Sequence, residues 1–215
     1  MPNSFFLSLY RIESRILRNW IRYVVGKLEG GEYFSLTLRE IFKRFYDVEI
    51  GLYTHGGCFD MYAVDRGTKI GRYCSFARPT RILNLNHPMD FKSTHAFFFN
   101  PILGQCTKDL TAFNPLTVGS DVWMGAQAMI LPHVSNIGTG AVIGAGAVVH
   151  HDVPPYAVVV GSPARVVRYR FSPAVIEELL ASRWWENPLA QLDINEFSRP
   201  YMNNTPAQGT EGTRP

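Results

Sequence analysis

The chain has 215 residues, a formal net charge of +3 and 46% apolar residues, enough for one domain with a substantial core. So small a positive charge does not indicate a nucleic-acid-binding protein. The three cysteines, Cys58, Cys74 and Cys106, lack metal-ligand spacing and cannot all pair, so we expect free thiols in a reducing cytoplasm. We expect neither a membrane span nor secretion, because no apolar run is long enough and no signal sequence is recognisable.

Residues 1–46 are predicted to form an N-terminal helical segment. Between residues 4 and 27, apolar residues and arginines each recur every three or four positions on separate faces. The apolar positions are Phe5, Leu9, Ile12, Ile16, Trp20 and Val24, and the basic positions are Arg11, Arg15, Arg18 and Arg22. This pattern fits a helix lying on an anionic membrane surface, and also a helix docked on the protein or a neighbouring subunit. A capping box of Thr37 and Glu40 predicts a second short helix.

A six-residue period dominates residues 47–170. It begins loosely near Ile50 and is regular between Val118 and Val153. Apolar residues lead the repeats at Val64, Ile70, Phe76, Val118, Met124, Ile130, Ile137, Ile143 and Val149. Small or β-branched residues follow four positions later at Thr68, Cys74, Thr80, Val122, Ala128, Val134, Ala141, Ala147 and Val153. A period of six fits neither a helix nor an alternating strand, and indicates a parallel β-helix whose coils have three short sides.

Two details refine this prediction. Glycines follow four lead residues, at Gly119, Gly125, Gly138 and Gly144, where a tight corner needs them. The step from Ile130 to Ile137 is seven residues, so we expect one residue near Asn136 to bulge out of its corner. Cys74 is expected to point into the core and not to act as a nucleophile.

The period is lost in an inserted loop, residues 82–117. Insertions this long in a compact fold are usually functional. The loop contains Asn86-His87-Pro88-Met89-Asp90, Ser93-Thr94-His95 and Phe97-Phe98-Phe99. His87 suits a general base on a loop that reaches a partner subunit, although spacing alone also fits a surface histidine. His55 and His95 are weaker candidates, and His133, His150 and His151 are expected at solvent-facing corners.

The repeats end near Pro154. Ser172 as N-cap and Pro173 as the first residue predict a C-terminal helix within residues 171–198, which we expect to cover the open end of the prism. The polar tail, residues 199–215, is expected to be disordered.

Several motifs together resemble the hexapeptide xenobiotic acetyltransferases. They are the hexapeptide run, Asn86-His87-Pro88-Met89-Asp90, Ser93-Thr94, Asp121-Val122-Trp123-Met124-Gly125, the Gly161 to Arg165 end motif and Arg183-Trp184-Trp185. This family contains streptogramin and chloramphenicol O-acetyltransferases with left-handed β-helices, and relatives that acetylate sugars. The likeness covers residues 47–188.

The resemblance implies a homotrimer with active sites between adjacent prisms and acetyl-coenzyme A as co-substrate. It implies that His87 deprotonates an acceptor hydroxyl, which attacks the thioester directly without an acyl-enzyme or a metal. The implied coenzyme-binding residues are Trp123, Gly125, Ala126, Ala145, His150, Arg165 and Arg168. The implied acceptor-binding residues are Tyr53, His55 and Asn86.

Two departures from the family pattern bear on substrates. His150 and His151 replace a Thr-Lys pair, so the arginines carry more of the attraction for the coenzyme phosphates. His55 replaces an aromatic residue of the acceptor pocket, which favours a sugar-like acceptor. The resulting prediction is an O-acetyltransferase acting on a sugar or a cell-surface polysaccharide precursor. The alternatives are antibiotic inactivation, a zinc enzyme like the hexapeptide carbonic anhydrases, and a non-catalytic binding protein.

Overall fold

The computed structural model describes residues 1–201, and most of the predicted tail lies outside the described residues. The helices are α1 (Ser4–Leu9), α2 (Arg15–Leu28), α3 (Gly31–Phe34), α4 (Leu36–Tyr46), α5 (Pro173–Ser182) and α6 (Ile194–Phe197). The strands are β1 (Val48–Ile50), β2 (His55–Gly56), β3 (Thr68–Ile70), β4 (Ser75–Phe76), β5 (Arg81–Ile82), β6 (Leu85–Asn86), β7 (Ala112–Phe113), β8 (Thr117–Val118), β9 (Trp123–Met124), β10 (Met129–Ile130), β11 (Asn136–Ile137), β12 (Val142–Ile143), β13 (Val148–Val149), β14 (Ala157–Val160) and β15 (Arg165–Tyr169). Short 3-10 helices span Gly57–Phe59, Ala96–Phe98, Trp184–Glu186 and Leu189–Gln191.

Parallel pairing stacks these strands into three faces. Face I contains β1, β3, β8 and β11, and face III contains β5, β10 and β13. Face II contains β2, β4, β9, β12 and β14, and the antiparallel β15 closes its edge. The chain visits faces I, II and III in turn, so each circuit is one coil. The predicted parallel β-helix is thereby confirmed.

The repeat leaders fill the interior. Ile70, Val118 and Ile137 lie in register on face I, and all three are buried. The residues four positions after each lead residue point inward as well. Cys74 is one of them, and it is fully buried as predicted. Each buried Ile or Val side chain contributes about 1.5–3 kcal/mol through apolar burial.

The corner between faces I and II repeats the same backbone turn in every coil. One residue of each turn has a positive φ, and these residues are Tyr53, Tyr73, Asp121, Gly140 and Tyr156. Glycines such as Gly125 have a different role, because a Cβ there would lie 2.6 Å from the backbone nitrogen of Ala145 in the next coil. Those glycines therefore set the spacing between coils.

The corner between faces III and I is irregular in every coil that the structure describes after β5. The chain leaves after β5 for the inserted loop, and it takes seven residues from Ile130 to Ile137 after β10. After β13 it takes only four residues, because Val153 bridges Ile137 and so already belongs to face I. Val153 is thus buried as expected. It occupies the position of a lead residue, however, and not the position four residues after one.

The neighbouring coil accommodates the extra residue near Asn136. The carboxylate of Asp152 accepts hydrogen bonds from the backbone N–H groups of Ser135 and Asn136, at 2.7 and 3.0 Å. These bonds satisfy donors that the longer corner removes from the strand ladder.

The inserted loop has a structured base. Strands β6 and β7 pair antiparallel, with Leu85 opposite Phe113 and Asn86 opposite Ala112. The remainder carries one 3-10 turn, Ala96–Phe98. We call residues 83–116 the arm. The sequence predicted an irregular insertion here and did not predict this pairing.

The N-terminal segment differs from the single long helix that the sequence predicted. It breaks between α1 and α2, and Ser14 caps the N-terminus of α2. Helix α2 buries Ile21 and Val25, whereas Ile16 is 84% exposed and Trp20 is 52% exposed. The predicted apolar stripe is therefore largely a surface feature.

Helix α4 begins two residues earlier than the predicted capping box requires. Its N-cap is Ser35, whose hydroxyl accepts from the N–H of Leu38. Glu29 accepts hydrogen bonds from the hydroxyl of Ser35 and from the N–H and hydroxyl of Thr37. The capping-box prediction was wrong, because Glu40 forms an ion pair with Arg44 instead.

The C-terminal helix α5 forms where the sequence predicted it. The segments that flank it follow the I–II corner, although we expected this helix to cover the open end. Before the helix, Arg170 forms an ion pair with Asp121 at 2.8 Å. After it, the ring of Trp184 contacts Tyr73 and the N–H of Leu189 donates to the hydroxyl of Tyr53.

Candidate active site

The arm holds His87 in one orientation. Its Nδ1 lies 2.8 Å from the carbonyl oxygen of Thr94, and its ring centroid lies 4.7 Å from that of the buried Phe99. A carbonyl oxygen can only accept, so Nδ1 carries the hydrogen and the lone pair is on Nε2. This is the arrangement that a general base requires.

His87 lines a cavity of about 570 Å³ between the arm and the III–I corner. The cavity is lined by Asn86, His87, Pro88, Met89, Asp90, Phe91, Leu110, Ala112, Phe113, Asn114, Pro132 and His133. Its surface is mainly apolar, with a few polar side chains, as is usual for small-molecule sites. The sequence predicted His87 and Asn86 here, but not His133 or Asn114.

A second group of predicted residues forms a column on the outer side of face II. Strand pairing places His55 beside Ser75, and Ser75 beside Trp123. The same column continues through Val142 and Val158 to Arg168. Neighbouring strands lie about 4.8 Å apart, so the column forms an extended strip along the prism. Trp123 is 56% exposed on this strip.

Ala126 and Ala145 stack at the II–III corner. The N–H of Gly146 donates to the carbonyl of Ala126 at 2.8 Å, and Ala145 is exposed. Small side chains leave the backbone of this corner accessible to a ligand. Gly125 lies in the same corner but is buried under the next coil.

The predicted phosphate-binding residues lie near the last coil. Arg165 lies 3.1 Å from Nε2 of His150, and the ring centroid of His150 is 4.2 Å from that of His151. Arg168 is exposed and donates to the carbonyl of Tyr169. Arg165 and His150 are thus brought together, while Arg168 extends the face II column.

The candidate site is in two parts within one chain. Among the described residues, no hydrogen bond or ring contact joins His87 to the face II column. Tyr53 lies at the I–II corner, where its ring packs on Tyr73 and its hydroxyl holds the C-terminal segment. His55 is part of the column, with Nε2 3.1 Å from the hydroxyl of Ser75.

Two of the three thiols are poorly suited to nucleophilic catalysis. Burial raises the pKa of Cys74 to about 12 and raises the pKa of Cys58 well above its usual range. Within residues 1–201, no three His, Cys, Asp or Glu side chains are grouped so that they could hold a metal ion. None of the helices in that part of the chain is long and apolar enough to cross a membrane.

Comparisons with known proteins identify relatives of this chain. No protein-family model matches the sequence. A chloramphenicol acetyltransferase from Escherichia coli is 39% identical over 154 residues, which cover 65% of this chain and 73% of that protein. A probable macrolide acetyltransferase from Lysinibacillus sphaericus is 35% identical over 54% of this chain and 67% of that protein.

Among solved structures, a maltose O-acetyltransferase from Clostridium difficile 630 is 21% identical, with a TM-score of 0.46 over 77% of this chain and 84% of that one. The sequence relationship to the Escherichia coli protein covers more than two thirds of its length. The chain therefore belongs to the hexapeptide-repeat acetyltransferase family that includes the chloramphenicol acetyltransferases.

Proposed function

We propose that this acetyltransferase transfers an acetyl group from acetyl-coenzyme A to a hydroxyl of a sugar or glycan precursor. The observation that carries the proposal is the tautomer of His87 on the wall of a cavity. Because the Thr94 carbonyl accepts the hydrogen bond from Nδ1, Nε2 is the nitrogen that can accept a proton. Nε2 takes the acceptor's hydroxyl proton while the oxygen attacks the thioester carbonyl. The carbon–sulfur bond then breaks, and the imidazolium returns the proton to the departing thiolate.

The outer surface of face II fits acetyl-coenzyme A. Trp123 offers an exposed ring on the strip, and the accessible backbone at Ala126 and Ala145 can hydrogen-bond a pantetheine amide. Arg165 and Arg168 lie near the last coil, where guanidinium groups suit phosphates. Because His150 is close to Arg165, we propose that it adds a hydrogen bond to the same end of the coenzyme.

The two-part site supports assembly as a homotrimer. His87 lies on the arm at the III–I corner, whereas Trp123 and the column lie on face II. A neighbouring copy whose arm reaches face II would bring the base and the coenzyme strip together. Closed cyclic symmetry would build three identical sites from this contact.

The polar pair of His55 and Ser75 supports a hydroxyl-bearing acceptor, because both side chains can hydrogen-bond to a sugar. A second candidate function, acetylation of an apolar antibiotic, is favoured by the cavity walls that Met89, Phe91 and Phe113 form. The two candidates share the same catalytic base and differ only in the acceptor.

An acceptor screen with acetyl-coenzyme A, read by thiol release, tests the proposal. We expect turnover with sugars or glycans and a loss of about 100- to 10,000-fold in His87→Ala. His95→Asn is the matched control, because His95 lies on the same arm and Asn keeps an acceptor for the N–H of Phe97. Unchanged activity in His87→Ala would disprove the base, and turnover of antibiotics alone would disprove the sugar acceptor.

Subunit complementation tests the shared site. We expect His87→Ala and Trp123→Ala to be inactive alone. Co-expressed in equal amounts, they should regain up to about one quarter of wild-type activity, because about one quarter of all interfaces in randomly mixed trimers hold both wild-type residues. No recovery in mixed trimers would show that the two residues do not meet across an interface.

We also propose that α1 and α2 contact an anionic membrane surface. Phe5, Ile12, Ile16 and Trp20 are exposed, and the exposed Arg11 lies among them. Residues 1–28 carry five basic side chains and one acidic side chain, and this charge is complementary to anionic lipid. Two of the arginines serve the fold, since Arg18 and Arg22 both donate to Tyr10.

Co-sedimentation with vesicles tests the membrane contact. We expect the protein to pellet with vesicles containing phosphatidylserine and less with pure phosphatidylcholine. The double variant Ile16→Ser with Trp20→Ser should stay in the supernatant. If the double variant pellets like the wild type, or changes the oligomeric state instead, this surface does not bind lipid.

A further inference from the structure

The cavity beside His87 contains a second histidine that the proposed reaction does not use. His133 lies on the seven-residue corner between Ile130 and Ile137, and it lines the same cavity as His87. We infer that His133 binds the acceptor and selects for a polyhydroxylated molecule. This inference rests on the proposed function and deepens it.

The corner that carries His133 is anchored from two directions. From the base of the arm, Nδ2 of Asn114 donates to the carbonyls of Pro132 and Val134 at 2.9 and 3.2 Å. From the next coil, the carboxylate of Asp152 accepts from the N–H groups of Ser135 and Asn136. Anchors on both sides of His133 fix its backbone, as specificity residues require.

Asn114 also connects His133 to the catalytic base. Its backbone N–H donates to the carbonyl of Asn84, at the start of the arm strand that leads into His87. One residue therefore holds both the arm and the corner in place. The extra residue in this coil lengthens the corner that forms the cavity wall.

The imidazole of His133 is available to a ligand. It is exposed, and its ring makes no hydrogen bond with any residue that the structure describes. Neutral imidazole offers one donor and one acceptor, which match a hydroxyl group in both respects. His87 keeps the role of base and binds the reacting hydroxyl. His133 therefore hydrogen-bonds a second hydroxyl of the acceptor.

Steady-state kinetics of His133→Ala and His133→Asn test this inference. We expect the KM for the acceptor to rise about 5- to 15-fold in His133→Ala, the loss expected for one hydrogen bond. The KM for acetyl-coenzyme A should not change, and His133→Asn should recover part of the loss. His95→Asn is the matched control, because His95 is an exposed histidine of the arm and does not line the cavity.

The outcomes separate this inference from the proposed function. If wild-type transfer depends on His87 while His133→Ala leaves the acceptor KM unchanged, only this inference is overturned. An equal rise in the KM for acetyl-coenzyme A would also overturn it, because the change would then be general. Absence of transfer by the wild type to any acceptor would overturn both. Thermal melting confirms that each variant is folded before its kinetics are compared.

Discussion

Nδ1 of His87 donates a 2.8 Å hydrogen bond to the carbonyl oxygen of Thr94, and both residues belong to the arm. The orientation of the His87 imidazole therefore depends on the fold of the arm itself, and only indirectly on the coils. Phe99 completes the arrangement, because its ring is 3% exposed and packs on the imidazole.

Phe99→Leu is expected to lower kcat about 10- to 100-fold, because a smaller, differently shaped side chain lets the imidazole move from its productive position. The KM for acetyl-coenzyme A should not change. Phe98→Leu is the matched control, since Phe98 is 57% exposed at the end of the 3-10 turn that precedes Phe99. Equal losses in both variants would show that the aromatic run acts only through the general stability of the arm.

Gly125→Ala is expected to lower the free energy of unfolding by about 1–3 kcal/mol, because the new Cβ would press on the next coil. Gly26→Ala should raise it by about 0.5–1 kcal/mol, since Gly26 lies in helix α2 with open space around its Cβ position. Urea denaturation of the two variants checks both signs. A stable Gly125→Ala protein would contradict the close stacking of these coils.

Arg170→Ala is expected to lower the free energy of unfolding by roughly 2–3 kcal/mol, because it leaves the carboxylate of Asp121 without its 2.8 Å ion pair. Asp121→Asn in the same chain should recover part of this loss. Denaturation of the wild type, both single variants and the double variant gives the coupling energy. A coupling energy near zero would contradict the ion pair.

The pH dependence of Arg170→Ala has a definite sign. Burial raises the pKa of Asp121 above its ordinary value, although Arg170 opposes this shift. The folded protein thus binds the carboxyl proton of Asp121 more tightly than the unfolded chain does. The free energy of unfolding therefore falls as the pH rises above the ordinary aspartate range, because the buried carboxyl must then ionise. Without Arg170 this effect grows, so the stability gap to the wild type should narrow on acidification. A gap that widens instead would contradict the burial of this charge.

Direct transfer predicts that no cysteine is needed. Iodoacetamide should label Cys106 in the native protein and leave Cys58 and Cys74 unlabelled, because the latter two are buried and burial raises their pKa. Cys106→Ala should retain wild-type kcat. Mass spectrometry of the labelled protein checks the first expectation. A trapped acetyl group on any of the three sulfurs would contradict direct attack.

The period of six predicted the β-helix because an inward residue must recur once per side. Ile70, Val118 and Ile137 are buried in register for this reason. The family motif pointed to His87, and the structure adds the tautomer that Thr94 imposes. The role of His87 itself stays a prediction until the kinetics are measured.

Other features depend on contacts that no local pattern encodes. The six-residue period predicted Val153 as the residue four positions after a lead residue. The structure places Val153 in a leading position, because its corner has only four residues. His133 and His87 line the same cavity because Asn114, at the base of the arm, donates a hydrogen bond to the corner that carries His133. The C-terminal segment follows the I–II corner through side-chain contacts of Arg170 and Trp184, which sequence spacing does not predict.

The unequal lengths of the III–I corners show that the regular stacking of the coils and the variation in length lie at different edges of the prism. From β3 onwards the other two corners repeat compact turns and set the rise of the coils. The III–I edge accommodates the arm, one additional residue and one shortened step without disturbing strand register on the faces. Since each coil contacts mainly its neighbours, a change in length at this edge stays local. A new acceptor range can therefore evolve by changes at one edge of the prism, with the proposed coenzyme strip on face II left as it is.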